Sequence, residues 1–219
     1  MKNIKGIIFD LDGTLLDTLE DLTDAVNHVM RAFSLETKTI DQVRSFVGNG
    51  VVKLIEQCVP GGEGHERFSE ILSAFMQYYE ANCDHKTQPY EGILALIDKL
   101  HKEGRMLGIV SNKFDSAVKA LNRQYFHNWI DFALGVTDAL HRKPAPDMVF
   151  ACIKQMQLKP EEVVYIGDSE VDLMTAQNAG IDCISVLWGF RSLEVLLKYG
   201  ATQLVSSVEE LESLLYGFC

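Results

Sequence analysis

The sequence has no disulfide framework. Its five cysteines, at positions 58, 83, 152, 183 and 219, are odd in number, widely spaced and without a Cys-x-x-Cys pair. That pattern argues against a stapled mini-domain or a thiolate metal site, and free thiols in a reducing cytoplasm are expected. Long apolar runs are also missing: none approaches the roughly 18 residues a membrane-spanning helix needs. The opening Met-Lys-Asn-Ile-Lys leads straight into an apolar strand, without the core or cleavage site of a secretion signal. Positive charge is scarce, with 20 Lys and Arg against 31 Asp and Glu and a net charge of −11. This disfavours nucleic acid or an anionic membrane as partner. An anionic small molecule must then be held by a local site, because the overall field repels it. Internal repeats and low-complexity segments are absent.

The chain does have the profile of a globular protein, 47% hydrophobic and 23% charged over 219 residues. That length suits one full domain plus a smaller one. Its most informative segment is Ile-Ile-Phe-Asp10-Leu-Asp12-Gly-Thr, where an apolar run stops at two carboxylates. Residues 4–9 read as a buried strand and Gly13 as the turn behind it. Open α/β sheets place their chemistry at the C-terminal edge of such strands. Two carboxylates this close repel unless a cation stands between them, and a hard divalent ion with oxygen ligands is the simplest candidate.

Further along, short apolar runs alternate with helical patterns. They lie at Met106–Val110, Phe132–Val136, Val163–Ile166 and Cys183–Leu187, with a weak one at Gln203–Val205. The alternation predicts an α/β fold with a mainly parallel, Rossmann-like sheet. Residues 18–88 read differently, with four amphipathic helical stretches and almost no strand signal. Leu19, Leu22, Val26, Val29, Met30 and Phe33 mark the first. Thr39 with Gln42 forms a capping-box pattern ahead of Ile40, Val43, Phe46 and Val47. Val51 to Val59 carry the third, which Pro60-Gly61-Gly62 ends. Phe68, Ile71, Leu72, Phe75, Met76 and Tyr79 carry the fourth. The expected organisation is a core of residues 1–17 and 89–219 interrupted by a four-helix cap over 18–88. Asp17–Thr18 and Thr87–Gln88–Pro89 are the candidate hinges, and such a lid excludes water and helps choose substrate.

Three later segments end as the first strand does, with small or charged groups after an apolar run: Ser111-Asn112-Lys113, Arg142-Lys143-Pro144, and Gly167-Asp168-Ser169 followed by Asp172. A parallel sheet brings them to the edge that carries Asp10. Asp10, Asp12 and Asp168 then offer oxygens to Mg2+, Ser111 and nearby amides offer hydrogen bonds to an anion, and Lys143 offers a positive charge. Metal and lysine around an oxyanion suit phosphoryl transfer, and a carboxylate nucleophile divides it into an aspartyl-phosphate step and its hydrolysis.

These four segments, in this order, resemble the four motifs of the haloacid dehalogenase superfamily, and the likeness spans essentially the whole chain, inserted cap included. The resemblance implies roles residue by residue. Asp10 is similar to the nucleophile and metal ligand, and Asp12 to the general acid and base whose backbone carbonyl also binds the metal. Ser111, Asn112 and Lys143 resemble the phosphate-binding set, Asp168 the direct metal ligand, and Asp172 a supporting carboxylate that orients metal-bound water or Lys143. The acid at Asp12 implies a phosphatase or phosphomutase, since dehalogenases lack it. In the cap, Gly48-Asn49-Gly50 followed by Leu54 resembles the phosphoglycolate phosphatase branch; Gly48, Asn49 and Gly50 are candidate substrate contacts, and so is Lys53 by its place on the lid. A cytoplasmic enzyme acting on a small phosphorylated metabolite is implied, as monomer or homodimer.

Plainer readings stand beside these. Gly48 and Gly50 serve equally well to join two helices, and Lys53 suits a solvated helix face. Asp172 suits a helix N-terminus. His141 and Arg142 suit ordinary surface charges as well as added positive potential beside Lys143, and Trp188-Gly189-Phe190-Arg191 suits a packing loop as well as one that borders the site. A phosphomutase shares the same Asp pair, and a non-catalytic binding protein of the same fold is the reading from another class. The retained Asp10, Asp12 and Asp168 weigh against the latter.

Overall fold

The structure is a computed structural model and describes residues 4–137 and 139–217. Cys219 lies outside that range. The chain separates into two compact units, Met1–Leu16 with Pro89–Cys219, and Asp17–Gln88. Two short strands, β2 (Leu16–Asp17) and β3 (Gln88–Pro89), pair where the chain passes from one unit to the other and back.

The larger unit is built on a six-stranded sheet. Its strands are β1 (Gly6–Phe9), β4 (Met106–Phe114), β5 (Phe132–Val136), β6 (Val163–Gly167), β7 (Asp182–Val186) and β8 (Leu204–Val205). They lie in the order β5-β4-β1-β6-β7-β8 and every pairing is parallel. The helices around the sheet are α5 (Ile93–Lys102), α6 (Asp115–Tyr125), α7 (Asp147–Met156), α8 (Glu170–Ala179), α9 (Leu193–Lys198) and α10 (Val208–Gly217). β1 and β6 are fully buried along their length, as apolar runs in a covered parallel sheet must be. Ile8, Val110, Met148, Val149, Cys152 and Tyr165 sit in one buried cluster between sheet and helices.

The strand order fixes where chemistry belongs. From β1 the chain builds outward to β4 and β5, then crosses back to β6 and continues the other way to β7 and β8. The reversal falls between β1 and β6, the switch point at which open α/β sheets form a crevice. Asp10 directly follows β1 and Asp168 directly follows β6, so they flank it.

Two sheet details differ from the sequence expectation. β4 continues through Ser111, Asn112 and Lys113 to Phe114, residues read above as the loop after the strand. The strand can continue because its register against β5 shifts between Val110 and Phe114, the mark of a bulge. The short pair β2 and β3, at the positions read as hinges, had no strand signal, since two residues are too few to show a period.

The smaller unit contains α1 (Leu19–Ala32), α2 (Ile40–Phe46), α3 (Val51–Cys58) and α4 (Phe68–Asn82). Thr39 caps α2: its hydroxyl accepts the Gln42 N–H while the Gln42 side chain accepts the Thr39 N–H. Leu22, Val26, Val29, Met30, Val43, Leu54, Ile55, Ile71, Phe75 and Tyr79 are buried. Met76 and Ile40, placed by periodicity on the apolar faces, are exposed at 37% and 39%. Each lies at the margin of its stripe: the nearest buried residue on the same helix is Val43 for Ile40 and Phe75 for Met76. Asp21 of α1 is buried, and its carboxylate accepts the N–H groups of Lys86 and Thr87, which fixes the end of this unit to its beginning.

Candidate active site

Asp10, at the end of β1, is 8% exposed, and its N–H donates to Ile166 O at 2.8 Å. The strand therefore stays paired to β6 up to the carboxylate itself. Asp168 continues β6, and Asp172 stands one turn into α8 with no exposure at all. Oxygens of Asp10, Asp168 and Asp172 all come within 4.8 Å of one another.

One ammonium faces this cluster. Lys143 Nζ lies 2.8 Å from Asp10 Oδ1, 2.7 Å from Asp172 Oδ1 and 3.0 Å from the Tyr165 hydroxyl. Its contact with Asp10 is close but off the hydrogen-bonding direction, so Asp10 Oδ1 is buried with a charge beside it and no directed bond. Burial opposes the lysine charge, yet Asp10 and Asp172 outweigh it and hold the ammonium above its ordinary pKa. For the Asp10 carboxyl, burial is the largest influence and pushes the pKa up; Lys143 pulls it down, and Asp172 and Asp12 push it up again. Asp168 is pushed well above the usual carboxylate range by burial, then by Asp172 and Asp10.

Burial leads in all three, and behind it three carboxylates share the space with Lys143 as the one cation in contact with them among the described residues, Arg191 acting on Asp168 more weakly. A divalent ion with oxygen ligands removes that imbalance, so the donor set fits such an ion. Asp10 and Asp168 are the better ligands of the three. Asp172 is already committed: Oδ1 takes Lys143, and Oδ2 accepts both the N–H (3.0 Å) and the hydroxyl (2.6 Å) of Ser169 at the start of α8. Asp172 thus closes the α8 N-terminus and holds Lys143 at once. The side chain of Asp12 is not part of the cluster and lies on Lys113 instead, Oδ1 to Nζ 2.7 Å.

Around this centre, position is enforced by groups the sequence reading did not single out. Tyr165 is fully buried, and its hydroxyl links Lys143, Asp172 Oδ1 and Val110 O. A tyrosine in an otherwise aliphatic buried strand was the available signal, because its hydroxyl needs a partner there. The loop after β7 also takes part. Phe190 N–H donates to Asp168 Oδ2 at 2.7 Å, Thr14 Oγ1 donates to Asp168 Oδ1 at 3.3 Å, and Trp188 Nε1 donates to Thr14 O at 3.1 Å. Of the two readings of Trp188–Arg191, a packing loop and a loop that borders the site, the second holds, since the Phe190 backbone grips Asp168. Gly189 makes this possible, since a Cβ there would lie 2.3 Å from Asp168 Cβ and 2.5 Å from Gly13 O.

The remaining candidates are placed as follows. Ser111 is 2% exposed, and its hydroxyl accepts the Lys113 N–H at 3.2 Å. The Asn112 amide is engaged with the Lys143 backbone, accepting from N at 2.7 Å and donating to O at 3.1 Å. Its side chain thus fixes the segment that carries Lys143, which a reading of Asn112 as a phosphate ligand does not foresee. That segment contains a cis Lys143–Pro144 peptide, and Asn178 Nδ2 donates to Pro144 O at 2.9 Å. His141 is exposed and pairs with Asp147 at 2.7 Å, at the start of α7. In the smaller unit, Gly48, Asn49 and Gly50 connect α2 to α3 and are half-buried. Gly48 and Gly50 have φ of 118° and 82°, which by itself accounts for glycine at both places. Lys53 pairs with Glu56 and, at 3.6 Å, with Glu63.

The sequence matches the family model described as haloacid dehalogenase-like hydrolase over residues 7–186. Among relatives, a phosphoglycolate phosphatase of Cereibacter sphaeroides is 35% identical over 199 residues, covering 87% of this chain and 88% of its own. The pyrophosphatase PpaX of Anoxybacillus flavithermus is 27% identical over 214 residues, covering 97% of each. A crystal structure from Lactobacillus delbrueckii subsp. bulgaricus, whose description as a phosphoglycolate phosphatase is itself provisional, superposes with a TM-score of 0.93. It is 38% identical and the match covers 98% of this chain and 99% of that one.

Proposed function

The chain belongs to the haloacid dehalogenase-like hydrolase family, and from that premise we propose a Mg2+-dependent phosphatase that hydrolyses small phosphomonoesters through a phosphorylated Asp10, with phosphoglycolate as the leading substrate. The observation that carries this reading is the buried group of Asp10, Asp168 and Asp172 around Lys143. Phosphatase activity agrees with the names of the relatives, and those names favour hydrolysis over phosphoryl transfer between sugars. Phosphoglycolate rests on relatives so named and on the Gly48-Asn49-Gly50 segment.

Asp10 and Asp168, with the Asp12 carbonyl, would hold the ion. When bound, Mg2+ offsets phosphate charge and lets the anion approach a carboxylate. The chain supplies the rest. An Asp10 oxygen forms a bond to phosphorus while the bond from phosphorus to the ester oxygen breaks. The Asp12 carboxyl gives its proton to the departing alkoxide, which leaves as the alcohol. Asp12, now a carboxylate, takes a proton from water as that water attacks phosphorus. The aspartyl phosphate then breaks, releasing phosphate and restoring both groups. Lys143 and Ser111 steady the phosphoryl oxygens. The unit of Asp17–Gln88 is the proposed cap, with Gly48, Asn49, Gly50 and Lys53 its candidate substrate contacts. A cytoplasmic setting is supported by Cys58, Cys83, Cys152 and Cys183, all free thiols.

A panel of phosphoglycolate, hexose phosphates, nucleotides and inorganic pyrophosphate, assayed for phosphate release with Mg2+ and with EDTA, tests the proposal. Pyrophosphate is included because of the full-length likeness to PpaX. Mg2+-dependent release from small monoesters, with phosphoglycolate ahead, is expected. Release from none of them, or undiminished release in EDTA, contradicts it.

A further inference from the structure

Lys113 is a lysine where a strand has no ordinary use for one. Its side chain is 4% exposed, and an ammonium so buried is unfavourable by several kcal/mol unless it is paired. Asp12 is a partner, at 2.7 Å across 101 residues of sequence. Asp12 in turn makes no other side-chain hydrogen bond among the described residues.

The backbone is shaped to make this contact. Val110 pairs with Leu134 and Phe114 with Val136, so four steps of β4 match two of β5. The surplus is the Ser111–Lys113 bulge, which re-aims the side chains it contains. Gly135 opposes the bulge, and a Cβ there would lie 2.6 Å from Lys113 O and from Asp115 N. Asp115 Oδ1 accepts the Gly135 N–H at 3.1 Å, and Ser111 Oγ accepts the Lys113 N–H at 3.2 Å. The lysine backbone is therefore fixed on both sides. The two buried lysines of the site divide the work: Lys143 lies on Asp10 and Asp172, Lys113 on Asp12.

We infer that Lys113 is the positioning residue for Asp12, acting on turnover through that carboxylate and not as a ligand of the substrate phosphate. The inference rests on the reading of Asp12 as the group that moves the proton. Its physical basis is orientation. A carboxyl group with a single side-chain partner loses its fixed place when that partner goes, in either protonation state, and a displacement of about 1 Å costs on the order of 10²-fold in rate.

A double-mutant cycle tests it, with p-nitrophenyl phosphate as substrate so that slow variants stay measurable. Lys113→Met, Asp12→Ala and the double variant are compared with the unaltered protein for kcat and KM. The expected result is a fall of about 10- to 100-fold in kcat for Lys113→Met, with KM changed less than about threefold and no further loss when it is added to Asp12→Ala. Partial rescue by Lys113→Arg is also expected. A raised KM, or a full additional loss in the Asp12→Ala background, overturns the inference and makes Lys113 a phosphate ligand. Full turnover in Asp12→Ala alone overturns the reading of Asp12 first and this inference with it. Near-ultraviolet circular dichroism checks folding, and Lys113→Gln carries the same comparison if the methionine variant does not fold.

Discussion

Asp168 is held by groups from two distant segments, the Thr14 hydroxyl and the Phe190 amide, and its place depends on Gly189 having no side chain. Gly189→Ala puts a methyl group against Asp168 and the Gly13 carbonyl, neither able to retreat. Metal affinity is expected to fall about 10- to 100-fold, as changes behind a metal ligand commonly produce; titration calorimetry with Mn2+ measures it, and unchanged affinity contradicts the role given to this loop. Tyr165→Phe removes the hydroxyl shared by Lys143, Asp172 and Val110. The buried partners lose a bond each, so a stability loss of about 1–3 kcal/mol is expected in urea unfolding. Burial pushes the thiols of Cys58 and Cys152 up to about 12, so neither reacts with a disulfide reagent at pH 8 until the chain unfolds. Asp10, Asp12, Ser111 and Asp168 were legible as candidates because each stands at or just beyond the end of an apolar run, and Lys143 through the Arg-Lys-Pro pattern around it. The sequence concealed the partners of Lys113 and Tyr165, since a buried ion pair or hydroxyl shows only once distant strands are side by side.

The elements show the same division between local and distant causes. The α2 capping box is a local device: Thr39 and Gln42 satisfy each other's amides, so four consecutive residues sufficed to read it. Thr39→Ala is expected to destabilise the Asp17–Gln88 unit by about 1 kcal/mol, measured by thermal unfolding, with kcat on a saturating substrate little changed. β4 is the opposite case. Its apolar pattern ends at Val110, and the extension through Lys113 to Phe114 depends on the bulge against β5 and on Gly135. No period marks such a segment. Met76 and Ile40 lie exposed for a related reason: periodicity gives the direction of a stripe but not its width.

Across the whole molecule, the strand order β5-β4-β1-β6-β7-β8 brings residues 10 and 168 to the two sides of the sheet's switch point. Alternating apolar runs implied a parallel sheet, and the C-terminal edges implied the site, but the order of the strands came from pairings across the chain. The overall charge of −11 gives no help in holding an anion or a surplus of buried carboxylates, which places the burden on Lys143 and on the divalent ion of the proposed function. Binding a divalent ion should therefore stabilise the fold. At a concentration 100 times Kd the gain is about 2.7 kcal/mol, a Tm rise of roughly 5–10 °C for a chain of this size. Scanning fluorimetry with Mg2+ and with EDTA is the check, and Asp168→Asn should lose the rise.

In the proposed reaction Asp10 attacks phosphorus. Asp10→Asn keeps the size of the side chain and removes the nucleophile, so the most direct measurement is its Mg2+-dependent phosphate release beside that of the unaltered protein, at matched Tm. A loss of at least about 10³-fold in kcat is expected in a protein that is still folded. Turnover within a few-fold of the unaltered protein would contradict it.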